Sequence, residues 1–114
     1  MHVEIRKSGD VVIVDLEGKL TAGLGDQILR ETIDELLAEN WKKILLNLSG
    51  VSFMDSAGVG ELVAGLRTAK RLGASLALLS ASQRVQSTLF ISKLLPSFEL
   101  YQDEAAALAH FASR

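Results

Sequence analysis

Apolar residues change their spacing several times along this chain. Val3 and Ile5 alternate with Glu4 and Arg6, the period of a strand with one wet face. Gly9-Asp10 is a turn signal, and Val11-Val12-Ile13-Val14-Asp15-Leu16 reads as the second arm of a hairpin. The period then lengthens. Leu29, Ile33, Leu36 and Leu37 form the apolar stripe of a helix, Leu24 and Ile28 extend it upstream, and Glu31, Asp34, Glu35 and Glu39 take its wet side. Ile44-Leu45-Leu46-Asn47-Leu48 and Leu76-Ala77-Leu78-Leu79 are short, nearly continuous apolar runs. Such runs suit strands buried on both faces, inside a sheet covered by helices.

Between those runs, Val59, Leu62, Val63, Leu66 and Ala69 repeat at helical spacing. Lys70 and Arg71 sit near the end of that pattern and Gly73 just after it, as at a helix C-terminus. Strand, helix and strand in that order imply a parallel pair joined by a right-handed crossover. Ser82 is placed to cap a third helix with Val85, Leu89 and Phe90 inward, stopped before Pro96. Phe98 and Leu100 alternate in a last short strand. Asp103 then caps an alanine-rich helix whose Leu108 and Phe111 face the core. The order β-β-α-β-α-β-α-β-α predicts an α/β fold, a mixed sheet of about five strands with four helices.

Length and composition narrow the function. With 114 residues the chain is expected to form one domain, spanning 1–114, large enough to bury a core without staples. Zero Cys removes disulfides, thiol nucleophiles and thiolate metal sites. A net charge of −2 offers no basic field for direct nucleic-acid binding. Apolar runs such as Val11–Val14 are far too short to insert in a membrane, and Met1–Arg6 lacks the layout of a signal peptide, so a cytoplasmic location is expected. His2 and His110 lie at opposite ends of the chain and read as solvated terminal residues, which leaves no expected metal or cofactor. No internal histidine is available to make Ser56 a hydrolase nucleophile. The pairs Gly23/Gly25 and Gly58/Gly60 are incomplete dinucleotide fingerprints, and Gly18-Lys19 is followed by Leu20 where a phosphate loop needs Ser or Thr. An enzyme is not expected.

The unusual segment is Phe53-Met54-Asp55-Ser56-Ala57-Gly58-Val59-Gly60. A buried strand ends at Leu48, a turn covers 49–54, and Asp55 and Ser56 open a helix with two glycines in its first turn. Glycine inside a helix costs up to about 1 kcal/mol against alanine. Something must offset that: either a partner backbone approaches there, or the helix packs tightly on its own sheet. Asp55 and Ser56 are each able to cap the helix by accepting from a free N–H.

The stretch from Asn47 to Gly60, and above all Met54-Asp55-Ser56-x-Gly58-x-Gly60, resembles the signature of STAS domains, more narrowly that of bacterial anti-sigma factor antagonists. Asp15-Leu16-Glu17-Gly18-Lys19-Leu20 resembles that family's second strand and following turn. The resemblance implies a single STAS domain in which Ser56 is a phosphorylated switch. It implies that the unphosphorylated form binds an anti-sigma factor that is also a GHKL-type serine kinase, freeing the sigma factor. Phosphorylation then ends binding, and a metal-dependent serine phosphatase resets the switch. It makes the protein a substrate and not an enzyme, with no cofactor.

The expected partner surface joins Thr21 and Gly23 with Asp55, Ser56 and Ala57 and, along the second helix, Gly58, Gly60, Glu61 and Ala64. Two positions depart from the family pattern. Thr21 stands where many antagonists carry an acidic residue, and Ala57 stands where many carry Ser or Thr. The Asp-Ser-x-Gly core also occurs in STAS scaffolds of stress-signalling assemblies and in regulatory parts of transporters, the alternative expectation.

Overall fold

The alternating N-terminal residues form strand β1 (His2–Ser8), which turns at Gly9-Asp10 into β2 (Val11–Leu20). Helix α1 (Gly25–Ala38), strand β3 (Lys43–Met54), helix α2 (Ser56–Arg71) and strand β4 (Ser75–Leu79) follow. Helix α3 (Gln83–Ile91), strand β5 (Glu99–Tyr101) and helix α4 (Glu104–Ala112) complete the expected order. This computed structural model describes residues 1–91 and 98–112. The expected stop before Pro96 and the inward side chain of Phe90 lie outside what is described.

The strands lie in the order β1-β2-β3-β4-β5. β1 pairs antiparallel with β2, from Ser8↔Val11 to His2↔Glu17, and every later pair is parallel. Alternation along β2, β3 and β4 sends side chains to two apolar layers. Val12, Val14, Ile44, Leu46, Leu76 and Leu78 join residues of α1, α2 and α3 in the larger layer. Val11, Ile13, Leu45, Ala77 and Leu79 meet Ala107 and Phe111 of α4 in the smaller one. The continuous apolar runs are therefore central strands, buried on both faces as their sequence requires.

Helix ends follow local chemistry. The Ser82 hydroxyl accepts from the Val85 N–H at 3.2 Å and the Asp103 carboxylate from the Ala106 N–H at 3.0 Å. α2 ends at Arg71, and Gly73 has φ +74°, the left-handed region that glycine enters without strain.

Two expectations are corrected. Residues 49–54 are not a turn: they continue β3, pairing Gly50 with Glu17, Val51 with Gly18, Phe53 with Lys19 and Met54 with Leu20. The pairing shifts register between Asp15 and Glu17 and again between Gly18 and Lys19, where Gly18 takes φ +118°. These bulges re-phase the strand, so Leu48, Val51 and Met54, three residues apart, all turn inward. That spacing hides the strand from a search for period two. The second correction is Leu24. It precedes α1 and is 63% exposed, outside the buried stripe of Leu29, Ile33, Leu36 and Leu37.

Candidate functional site

β2 and β3 are parallel and finish side by side at Leu20↔Met54. The chain leaves β2 into the 21–24 loop and leaves β3 into the start of α2, so both loops meet on one rim of the sheet. Contacts between backbone segments fasten them together. Asp55 donates its N–H to the Leu20 carbonyl at 3.3 Å. Its side chain accepts from the Gly58 N–H at 3.0 Å and from the Ala22 N–H at 3.1 Å. The amides of Ala22 and then Gly58 favour the ionised carboxylate and hold it below the usual aspartate range.

Those bonds separate the roles of Asp55 and Ser56. Asp55, with extended backbone at φ −102°, is the cap. Ser56 is the first residue of the helix and is exposed, and its hydroxyl makes no hydrogen bond among the described residues. A free hydroxyl therefore stands at the positive end of a sixteen-residue helix. Ala57 is half-buried behind it.

The two glycines are also separated. A Cβ on Gly58 would meet the Leu20 carbonyl oxygen at 2.2 Å and Met54 Cγ at 2.9 Å. Gly58 is buried and lets α2 start against the ends of β2 and β3; its expected place on an open partner surface is corrected accordingly. A Cβ on Gly60 would meet nothing within 4 Å, and that residue is exposed. Gly60, one turn along from Ser56, is the glycine that leaves open space.

Around this start, Thr21 is half-buried, while Gly23 and Ala64 are exposed. Glu61 is not a free anion. Its side chain is only 13% exposed and accepts from Arg30 of α1, whose Nε lies 3.1 and 3.2 Å from the two carboxylate oxygens. The sequence reading missed Arg30 because the two residues are far apart in the chain. Leu24, within the Leu20–Gly25 loop expected on the partner surface, and Phe53 are large apolar side chains 63% and 41% exposed. Leu24 was absorbed into a helical stripe by its spacing to Ile28, and Phe53 into an expected turn. His2 pairs with Glu4 at 3.2 Å and His110 lies 3.7 Å from Glu99. Among the described residues, no group of three His, Cys, Asp or Glu is gathered for a metal ion. No described helix is long and apolar enough to cross a membrane.

Residues 2–107 match the family model of the STAS domain. The chain belongs to the STAS domain family. Over 105 residues this STAS domain is 31% identical to a Thermotoga neapolitana protein named as a homolog of the anti-sigma factor antagonist TM1081, covering 92% of this chain and 93% of that one. Over 108 residues it is 25% identical to the anti-sigma F factor antagonist of Paenibacillus polymyxa, covering 95% and 92%. The crystal structure of TM1081 from Thermotoga maritima superposes with a TM-score of 0.87 at 26% identity, covering 95% of this chain and 92% of that one. The fold is also that of SpoIIAA. Its unphosphorylated form gives a TM-score of 0.84 at 23% identity over 99% and 98% of the chains, and its phosphorylated form 0.75 at 22% over 96% and 99%.

Proposed function

We propose that this STAS domain is an anti-sigma factor antagonist switched by phosphorylation of Ser56. One observation carries the reading: Asp55 takes the capping task, so the Ser56 hydroxyl is left exposed and unbonded at the start of α2. The relatives named as antagonists support it.

In the unphosphorylated state the rim around Ser56, with Leu24 and the open backbone at Gly60, docks an anti-sigma factor that is a GHKL-type serine kinase. Docking frees the sigma factor. The kinase then joins the γ-phosphoryl group of ATP to Ser56 Oγ; the hydroxyl proton leaves and ADP is released. The new group carries about −1.5 to −2 charges at pH 7. At a helix start it meets free N–H groups, so the fold tolerates it. In the closed interface it is an uncompensated anion, and burying one costs several kcal/mol. Even about 3 kcal/mol lowers affinity roughly a hundredfold. A metal-dependent serine phosphatase hydrolyses the phosphoserine and restores binding. The protein is the substrate in this cycle, not the enzyme, and acts in the cytoplasm.

The test is phosphotransfer from the purified cognate kinase and ATP, followed by peptide mapping and affinity measurement. Phosphate is expected on Ser56. Ser56→Asp is expected to weaken kinase binding about a hundredfold with thermal unfolding unchanged, and Ser56→Ala to bind but accept no phosphate. Phosphate chiefly on another serine overturns the reading. So does capture in a multi-subunit assembly that contains no such kinase, which favours the scaffold or transporter role.

A further inference from the structure

The two edges of the sheet differ. β5 has three residues, whereas β1 has seven and is bonded on one side only. The two-residue turn Gly9-Asp10 makes Ser8 and Val11 a hydrogen-bonded pair. By alternation Arg6, Glu4 and His2 also bond to β2, while Lys7, Ile5 and Val3 aim their backbone N–H and C=O groups out of the sheet. Among the described residues nothing bonds to that outward row. The helices pack on β2, β3 and β4, so neither buried layer extends over this edge. A charged side chain is the usual guard of an open edge. Here Lys7 is drawn over the Trp41 ring, 5.5 Å from its centre, and Ile5 on the same face of β1 is left 44% exposed.

We propose that β1 is a self-association surface: it pairs antiparallel with β1 of a second copy about a two-fold axis at Ile5, joining the two sheets into one. The sequence of the strand selects this register. Centred on Ile5, Ile5 faces Ile5, Val3 faces Lys7, and Glu4 faces Arg6 of the second copy. Centring one residue earlier sets Glu4 against Glu4, and one residue later sets Arg6 against Arg6. Like charges directly opposite destabilise a sheet. Centring on Lys7 opposes two lysines, and centring on Val3 leaves Arg6 and Lys7 beyond the end of the second strand. In the Ile5 register each outward pair exchanges two hydrogen bonds, and the two Ile5 side chains cover each other. Glu4 meets a guanidinium that serves Asp15 and Glu104 through Nε, Nη1 and Nη2 and keeps a spare N–H on Nη1. One strand pair covers much less than the about 800 Å² per partner of a standard interface, so the dimer is weak. It uses none of the residues around Ser56.

Sedimentation equilibrium of the whole chain tests this. Monomer is expected to pass to dimer with a Kd on the order of 100 μM. Amide hydrogen exchange over the same concentrations reads the register and needs no variant. The amides of Val3, Ile5 and Lys7 should slow as the dimer fills, while those of Glu4 and Arg6, already bonded to β2, should change little. Ile5→Pro removes an outward N–H and keeps the bonds to β2, so that chain is expected to stay folded and monomeric. Glu4→Arg sets arginine against Arg6 of the second copy and should weaken the dimer about tenfold. A wild-type chain still monomeric at about 1 mM, some tenfold above that Kd, overturns the proposal and leaves the edge to a strand of another protein. A dimer that Ile5→Pro leaves intact, or one that forms without slowing the alternate amides of β1, places the contact elsewhere and overturns it too.

Discussion

Two helices of this domain start on an aspartate and use the residue behind it in opposite ways. Asp55 accepts from the Gly58 N–H at 3.0 Å to start α2, and Asp103 accepts from the Ala106 N–H at 3.0 Å to start α4. At α4 the following residue is Glu104, whose carboxylate takes hydrogen bonds from Arg6 at 3.1 and 2.6 Å and ties the helix to β1. Arg6 is itself held by Asp15, which accepts from Asn47, so β1, β2, β3 and α4 share one polar network. At α2 the following residue is Ser56, exposed and unbonded. The capping task is solved identically, yet one helix start is closed and the other is left open. The proposed site of modification is the hydroxyl that the fold leaves unpaired.

The sharpest way to break the comparison is at the third helical position, Gly58 in α2 and Ala106 in α4. Gly58→Val drives a side chain into the Leu20 carbonyl, 2.2 Å from the Cβ position. Overpacking of that kind costs about 3 kcal/mol. Denaturant unfolding is expected to show that loss, with no such loss for Gly60→Ala, which gains up to about 1 kcal/mol of helix propensity. A tolerated Gly58→Val means that α2 does not pack against the ends of β2 and β3.

The caps come next. Asp103→Ala removes one helix-start bond and is expected to cost about 1 kcal/mol in a urea titration. Asp55→Ala removes the same bond and the one to Ala22, so its loss should exceed that of Asp103→Ala. Equal losses would mean that the Ala22 bond contributes nothing to stability.

Acid sharpens the same contrast. Asp55 is held below its ordinary value by the Ala22 and Gly58 amides. A depressed carboxyl contributes stability that is present above the unfolded value, about 3.9, and is lost as pH falls through the folded one. Asp15, lowered by Arg6 and Asn47, acts in the same direction. The urea midpoint should therefore fall between pH 5 and pH 2, and Asp55→Asn should flatten part of that fall. A wild-type and a variant curve that run parallel would contradict the assignment.

The smallest effects belong to the residues behind the caps. Glu104→Ala breaks the ion pair with Arg6, whose two side chains are 38% and 43% exposed, worth about 0.5 kcal/mol. Ser56→Ala removes a hydroxyl that bonds nothing, and its melting temperature should match the wild type within error. A clear loss for Ser56→Ala would mean that the hydroxyl is structural.

The sequence on its own determined the order of the elements, the central place of the strands around Leu45 and Leu78, the capping by Ser82 and Asp103, and Ser56 at the opening of a helix. Each of these rests on neighbours a few residues apart, where periodicity and cap chemistry act directly. Tertiary structure alone decided the rest. Residues 49–54 became strand because bulges opposite Glu17 and Lys19 re-phased them against β2. Asp55 prevailed over Ser56 as the cap, and gained Ala22 as a second donor, because β2 and β3 end on the same rim. Gly58 proved to be packing and Gly60 open space because the Leu20 carbonyl lies against the first and nothing lies against the second. Glu61 lost its free charge to Arg30 on a neighbouring helix. In every one of these cases the deciding atom comes from a distant part of the chain, which local spacing does not record.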